Sequence, residues 1–149
     1  MPETGSAVVD RFFIQPITGR LLIFNIGIAE IVSILVRKRN AGILAASTFS
    51  QIIVDSNAEI LSARAVQKTA CDSSLVTASL PLIIRHSINA TDAILLRSAL
   101  DIGVALQTQG DNLVLVASDQ RLLRAAQTEG LIVFNPETQT VADLDSLLV

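Results

Sequence analysis

The sequence is poor in aromatic residues, cysteine and histidine. Its 149 residues include no tryptophan and no tyrosine, and only five phenylalanines, one cysteine and one histidine. This aromatic content argues against a protein that binds single-stranded nucleic acid by stacking bases on rings. The lone Cys71 excludes a disulfide within the chain, and the lone His86 excludes a metal site built from several histidines. The scarcity of cysteine favours a cytoplasmic protein.

Positive charge and long apolar runs are also scarce. The formal net charge is −3 and the sequence pI is about 5.0, which argues against nucleic-acid capture by a broadly basic surface. The mean hydropathy is +0.55, yet no stretch has the pattern of a membrane helix or a signal peptide, so we expect no membrane association. There is no Walker A loop and no GxGxxG motif, which removes the commonest nucleotide-binding sites of α/β proteins.

The length predicts a single domain over residues 1–149, and its first clear element is a buried strand. The apolar run Leu21–Phe24 predicts this strand, and residues 25–27 predict a turn after it. A helix is expected over residues 28–39, where apolar residues recur at helical spacing and basic residues occupy the last turn. The sequence Asn-Ala-Gly at residues 40–42 is expected to end that helix.

Helical patterns dominate the middle of the chain. A second helix is expected over residues 47–58 and a short strand over residues 59–62. Residues 73–86 are mostly helical in pattern, but the proline within them removes a backbone donor and predicts a kink or a division. Thr91 is the expected N-cap of a long helix over residues 92–107.

The last third of the chain has the pattern of a β-α-β unit. Residues 113–117 predict a buried strand, Ser118 or Asp119 is expected to cap the following helix, and Gly130 is expected to end it. Residues 131–134 predict the next strand. Strands joined in this way run parallel, so we expect an α/β fold with a mainly parallel sheet.

Three acidic residues occupy positions where parallel sheets bind ligands, beyond the carboxyl ends of strands. Asp119 directly follows a predicted strand, Glu30 lies about one turn into a predicted helix, and Asp92 opens another helix. Carboxylates gathered without histidine or cysteine suit a hard cation such as Mg²⁺ or Mn²⁺. Such a cation activates water and neutralises a phosphodiester, which is the chemistry of metal-dependent nucleases.

Each of these acids also has a purely structural interpretation. Asp119 and Asp92 are both explained as helix caps or first-turn acids, and local sequence favours that explanation for each of them. Glu30 is different because its helical neighbours are Ile26 and Ile34, which predicts a partly buried carboxylate in need of a partner. Only the joint placement of the three acids favours a metal site.

The other polar residues favour structural roles. The basic run of residues 37–39 is typical of a solvated helix end, with contact to an RNA backbone as the less favoured alternative. His86 has no accompanying serine or cysteine nucleophile motif, so we interpret it as structural. Cys71 has no local feature that marks it as a reactive thiol, so we interpret it as an ordinary small residue.

Taken in order, several stretches resemble a PIN domain, and more specifically the toxin of VapBC toxin–antitoxin pairs. The resemblance covers nearly the whole chain and rests on residues 28–33 (IAEIVS), 37–42 (RKRNAG), 91–94 (TDAI), 116–123 (VASDQRLL), 125–126 (AA), 129–131 (EGL) and 135–136 (NP).

The resemblance implies a three-layer α/β/α fold and a ribonuclease activity. It implies an endoribonuclease that depends on Mg²⁺ or Mn²⁺, with Glu30, Asp92 and Asp119 as catalytic metal ligands. It also implies RNA as the substrate, a cognate antitoxin protein as a partner that blocks the site, and homodimer formation.

The sequence departs from this family at its beginning. Family members begin with a central strand that carries an Asp, whereas this sequence begins at a later point of the pattern. Asp10 lies within residues 7–13, which match the helix after that strand, so Asp10 is not a candidate ligand. Without the central strand, backbone groups of its neighbours would be left unpaired and the metal site would lose one ligand.

Three hypotheses therefore remain from the sequence. The leading one is a PIN-like ribonuclease with the three acids as metal ligands. The second is an inactive PIN-fold remnant that acts as a binding module for an antitoxin or another partner. The third is an unrelated small α/β domain in which the aspartates only cap helices.

Overall fold

The structure is a computed structural model that describes residues 4–14, 20–58 and 66–147. The chain divides into two compact units, and each is described by itself. The larger unit comprises Met1–Gln15 and Asp72–Val149, and the smaller unit comprises Pro16–Cys71. The prediction of one domain over residues 1–149 stays a prediction.

The described residues form seven helices and four short strands. The helices are α1 (Ser6–Ile14), α2 (Asn25–Asn40), α3 (Ala46–Ser56), α4 (Ser73–His86), α5 (Ala90–Gln107), α6 (Gln120–Thr128) and α7 (Val141–Leu147). The strands are β1 (Leu21–Phe24), β2 (Val66–Thr69), β3 (Val114–Val116) and β4 (Ile132–Phe134).

The smaller unit contains one parallel strand pair and two helices. Strand β1 lies where the sequence predicts it and pairs in parallel with β2, with Leu21 opposite Val66 and Phe24 opposite Thr69. The predicted turn at residues 25–27 is wrong, because α2 begins directly at Asn25 after the extended Phe24. No turn therefore separates β1 from α2. Helix α2 ends at Asn40, as its Asn-Ala-Gly sequence predicts.

The other elements of the smaller unit agree in part with the sequence pattern. Helix α3 confirms the helix predicted over residues 47–58, although regular α-helix ends at Ser56. The strand predicted over residues 59–62 lies outside the described residues. Strand β2 was not predicted, because it reads Val-Gln-Lys-Thr and only Val66 is buried.

The core of the larger unit lies between α4, α5 and α6. Leu82 of α4, Leu96 of α5 and Leu122 of α6 are each at most 5% exposed and belong to one apolar cluster. Helix α4 continues through Pro81 without a division, with Asp72 as its N-cap. Partly buried residues of β3 and β4 pack against the same cluster, so the strands and the three helices share one core.

The last third of the chain confirms the predicted β-α-β pattern. Strands β3 and β4 run parallel, with Val114 opposite Ile132 and Val116 opposite Phe134. Helix α6 lies between them in sequence and ends at Thr128, two residues before Gly130, whose φ of +90° is the left-handed conformation that glycine adopts readily.

A second, smaller cluster holds α1 and α7 against the strand pair. It is formed by Val8 of α1, Phe134 of β4 and Leu144 of α7. Gly5, just before α1, lies so close to Pro136 that an added Cβ would approach the carbonyl oxygen of Pro136 to 2.6 Å. A side chain at Gly5 would therefore push α1 away from the loop after β4.

The expected α/β class with parallel strands is confirmed. Both strand pairs are parallel, and helices outnumber strands in the described residues. These strands form two separate two-stranded sheets, β1-β2 and β3-β4.

Candidate functional site

Asp119 lies at the end of β3 and caps α6. Its Oδ1 accepts hydrogen bonds from the backbone N–H groups of Leu122 at 3.0 Å and Arg121 at 2.7 Å. These two bonds, aided by the positive charges of Arg121 and Arg124, hold the pKa of Asp119 below its ordinary value. Because both bonds end on Oδ1, Oδ2 has no hydrogen-bond partner among the described residues.

Asp92 lies in the first turn of α5 and is half-buried. The expected N-cap Thr91 is wrong, because Asn89 caps the helix one residue before it begins at Ala90. Asn89 accepts a hydrogen bond from the backbone N–H of Asp92 and donates one to Asp92 Oδ2, both at 2.8 Å. This reciprocal pair fixes the Asp92 carboxylate at the positive end of the helix dipole.

Glu30 is exposed on α2, so the prediction that it is partly buried is wrong. None of the residues of α2 is buried, and Ile34, one turn beyond Glu30, is itself 42% exposed. The apolar neighbours that suggested burial therefore lie on a helix surface that is itself open to solvent.

The three predicted ligands are distributed over both units. Asp92 and Asp119 begin two helices of the larger unit, and these helices share the apolar core through Leu96 and Leu122. Glu30 belongs to the smaller unit. Within the described ranges, no group of three or more His, Cys, Asp or Glu side chains is arranged to hold a metal ion. Their carboxylate oxygens are nevertheless the donor type that Mg²⁺ and Mn²⁺ prefer, and the assignment of the three acids as ligands stays a prediction.

Asn135 carries an unpaired donor immediately after β4. It is 5% exposed, and its Oδ1 accepts a hydrogen bond from the backbone N–H of Glu137 at 2.9 Å. This bond identifies the opposite atom as Nδ2, which is buried and has no partner among the described residues. A buried donor without an acceptor costs free energy, so Asn135 Nδ2 is a position where a water molecule or an acceptor group would bind favourably. The sequence indicates that Asn135 follows a predicted strand. Only the fold shows that its side chain is buried.

His86 has a structural partner that the sequence does not indicate. Its side chain is 9% exposed, and its Nε2 lies 2.7 Å from Glu129 Oε1. Arg85 donates to the same oxygen, also at 2.7 Å. Hydrogen bonding with His86 and then Arg85 holds the pKa of Glu129 below its ordinary value. The interpretation of His86 as structural agrees with this pairing, which joins α4 to the end of α6.

The basic run at the end of α2 is partly used within the smaller unit. The guanidinium group of Arg39 lies 4.6 Å from the centre of the Phe49 ring of α3, and Arg37 donates to Ser33 Oγ at 3.3 Å. Arg39 therefore helps to hold α2 against α3 through a cation–π contact. This use favours a structural helix end over an RNA-binding patch.

Comparisons with known proteins find no matching family model, curated protein or solved structure. None of the described helices is both long enough and apolar enough to cross a membrane.

The cap formed by Asp119 predicts different results for two substitutions. Asp119→Ala removes both backbone hydrogen bonds and should lower the free energy of unfolding by about 1 kcal/mol. Asp119→Asn keeps a capping oxygen and should preserve most of the stability. Urea denaturation of the two variants checks this, with Asp111→Ala in the exposed turn after α5 as the control. Equal stability of the Ala and Asn variants would contradict the cap.

The cluster around Glu129 predicts a loss of stability in acid. Because folding lowers the pKa of Glu129 below its ordinary value of 4.5, the ionised form stabilises the fold above that pH. The contribution is lost as the pH falls through the lowered pKa. The difference in Tm between the wild-type protein and Glu129→Gln should therefore be largest at neutral pH and shrink in acid. Arg85→Gln, which leaves the His86 contact in place, should show a smaller difference. A Glu129→Gln effect that does not vary with pH would disprove this interpretation.

Proposed function

We propose that the chain is a cytoplasmic, metal-dependent endoribonuclease with a PIN-like three-layer α/β/α fold, of the VapC toxin type. In this proposal it cleaves RNA phosphodiester bonds with Mg²⁺ or Mn²⁺ bound by Glu30, Asp92 and Asp119. The observation that carries the proposal is the position of Asp119, which lies at the carboxyl end of a parallel strand and caps the following helix.

The surroundings of the two aspartates support a role in ligand binding. Asp119 keeps Oδ2 available, since its capping bonds both use Oδ1. Asp92 is held at the start of α5 by Asn89. A bound divalent cation supplies charge neutralisation of the phosphodiester and an activated water. The protein's own contribution is to hold two carboxylates at the starts of two helices that a common core keeps in place.

Both described strand pairs are parallel, which agrees with the general α/β class that the proposal requires. The sequence resemblance to VapC toxins suggests a cognate antitoxin and a second copy of the chain as partners, in addition to RNA. These partners belong to the proposal and depend on it.

Metal binding can be tested without an RNA substrate. Mn²⁺ should raise the Tm of the wild-type protein, because a ligand that binds the folded state stabilises it by mass action. Asp92→Asn combined with Asp119→Asn should remove the rise, and Glu30→Gln should reduce it. Asp111→Asn is the control, since it removes one exposed carboxylate outside the proposed set.

A parallel assay should measure cleavage of single-stranded RNA with Mn²⁺, Mg²⁺ or a chelator. Metal-dependent cleavage that is lost in the double variant and kept in Asp111→Asn would support the proposal. An unchanged thermal response in the double variant would reject these ligands.

A second candidate function is a binding module that keeps the fold without cleavage. An exposed apolar stripe on α4 favours it: Val76, Leu80 and Ile84 recur every four residues and are 39%, 50% and 83% exposed. The opposite side of α4 is anchored in the core by Ser79 and Leu82, so the stripe has a fixed orientation. An apolar stripe of this kind fits the apolar face of a partner helix, from an antitoxin or from a second copy of the chain.

The binding-module hypothesis predicts self-association through the stripe. Leu80→Ser combined with Ile84→Ser should shift the protein towards monomer in sedimentation equilibrium with little change in Tm, because both side chains are already exposed. Val104→Ser on α5, where the side chain is 63% exposed, is the matched control. If the stripe variant and the control associate equally, this stripe is not the interface.

A further inference from the structure

A small basic pocket lies against one side of α6. Its volume is about 110 Å³, and it is lined by His86, Arg121, Arg124, Ala125 and Thr128. All five residues belong to the larger unit. We call it the α6 pocket. Two of its five residues are arginines, whose positive charges give the pocket the chemistry of an anion-binding site.

The spacing of the lining residues explains why they converge. Arg124 and Thr128 lie three and seven residues after Arg121, so the three side chains share one stripe of helix α6. The rotation of α6 is fixed because Leu122 and Ala126 are buried in the core, at 4% and 0% exposure. Both guanidinium groups are therefore presented on the same side of the helix by a rigid element.

The two arginines form no direct ion pair, although their positive charges act on the Asp119 carboxylate and help to lower its pKa. Arg11, Arg85 and Arg97 each form an ion pair with an acidic side chain. In the part of the chain that the structure describes, neither Arg121 nor Arg124 has a carboxylate within ion-pair distance. Two like charges one helical turn apart repel each other, and a bound anion relieves that repulsion.

The remaining walls suit a small oxyanion. Ala125, which is 3% exposed, contributes only a methyl group to the lining. The ring of His86 is anchored by Glu129, and the charge of Glu129 is balanced by Arg85, so this acid is already compensated. The pocket therefore has a preformed wall whose geometry does not depend on the ligand.

The size of the pocket selects the kind of group that enters it. Its volume of about 110 Å³ is smaller than the about 300–1,000 Å³ of pockets that enclose a whole small molecule. The α6 pocket therefore has room for one small group, and a larger ligand would extend beyond it.

We propose that the α6 pocket binds a single phosphate group through charge-assisted hydrogen bonds from Arg121 and Arg124. The planar guanidinium group matches the geometry of phosphate oxygens, and charged hydrogen bonds of this type are stronger than neutral ones. The phosphate is free in solution or belongs to a larger molecule such as a nucleotide chain. Binding needs neither a metal ion nor cleavage, so the proposal stands apart from the nuclease function.

The experiment titrates the full chain with inorganic phosphate in the absence of divalent metal. Ionic strength is kept constant with sodium chloride, and binding is followed by Tm and by ¹H–¹⁵N NMR spectra. Phosphate should raise the Tm saturably above the chloride baseline and shift the backbone amides of residues 121–128. Arg121→Gln and Arg124→Gln should each weaken the apparent Kd by about tenfold, the loss of one charged hydrogen bond.

Arg97→Gln is the matched control, because it removes the same charge from α5 at a residue that does not line the pocket. It should bind phosphate as the wild-type protein does. Equal weakening by all three arginine variants would overturn the proposal in favour of general charge attraction. The proposal would also be overturned if phosphate raised the Tm no more than chloride does, or if it caused no shifts at residues 121–128 in the wild-type spectrum. The test on the wild-type spectrum does not depend on whether any variant folds.

Three further ligands distinguish the sources of the phosphate. Adenosine 5′-monophosphate and a short single-stranded RNA should both bind with the same dependence on Arg121 if the group belongs to a larger molecule. Binding by inorganic phosphate alone would assign the site to the free ion. Binding of a short polyglutamate peptide without binding of any phosphate would overturn the proposal and indicate a protein partner. RNA cleavage plays no part in these outcomes, so a failed nuclease proposal leaves them interpretable.

Discussion

The packing of α5 against α4 and α6 is the constraint on which the larger unit depends. Leu96 of α5 is completely buried and shares one apolar cluster with Leu82 of α4 and Leu122 of α6. Because α6 buries a narrow apolar side in this cluster, its rotation about its own axis is set. That rotation turns Arg121 and Arg124 away from the buried Leu122, so both line the α6 pocket beside His86 of α4. The α6 pocket is thus a consequence of this packing arrangement.

The two proposals depend on different features of the molecule. The nuclease proposal requires carboxylates from both units, Glu30 from one and Asp92 and Asp119 from the other. The phosphate proposal requires only residues of the larger unit, because α4 and α6 together form the whole pocket. The binding-module hypothesis requires only the outer side of α4.

Local sequence patterns predicted most elements and failed at identifiable points. The apolar runs of β1, β3 and β4 were recognisable because each is bounded by turn-forming residues. Strand β2 was not predicted, because Gln67 and Lys68 are polar and exposed. Its sequence therefore lacks the apolar pattern that would indicate a strand paired with β1. The N-cap of α5 was placed at Thr91 instead of Asn89, since both residue types cap helices and the sequence does not show where helical backbone geometry begins. Helix α7 was not predicted, because its seven residues make only about two turns and give too few repeats for a helical pattern.

The sequence by itself determined the α/β class and the parallel direction of β3 and β4, and it narrowed the cap of α6 to Ser118 or Asp119, because these follow from periodicity and from hydrogen bonds between near neighbours. Tertiary structure alone decided that Glu30 is exposed, that Asn135 carries a buried unpaired donor and that His86 meets Glu129 across 43 residues of sequence. The physical reason is the distance along the sequence over which each contact acts. A local pattern shows which side of a helix or strand is apolar. Packing among distant segments decides which element covers that side and which polar groups come together as a result.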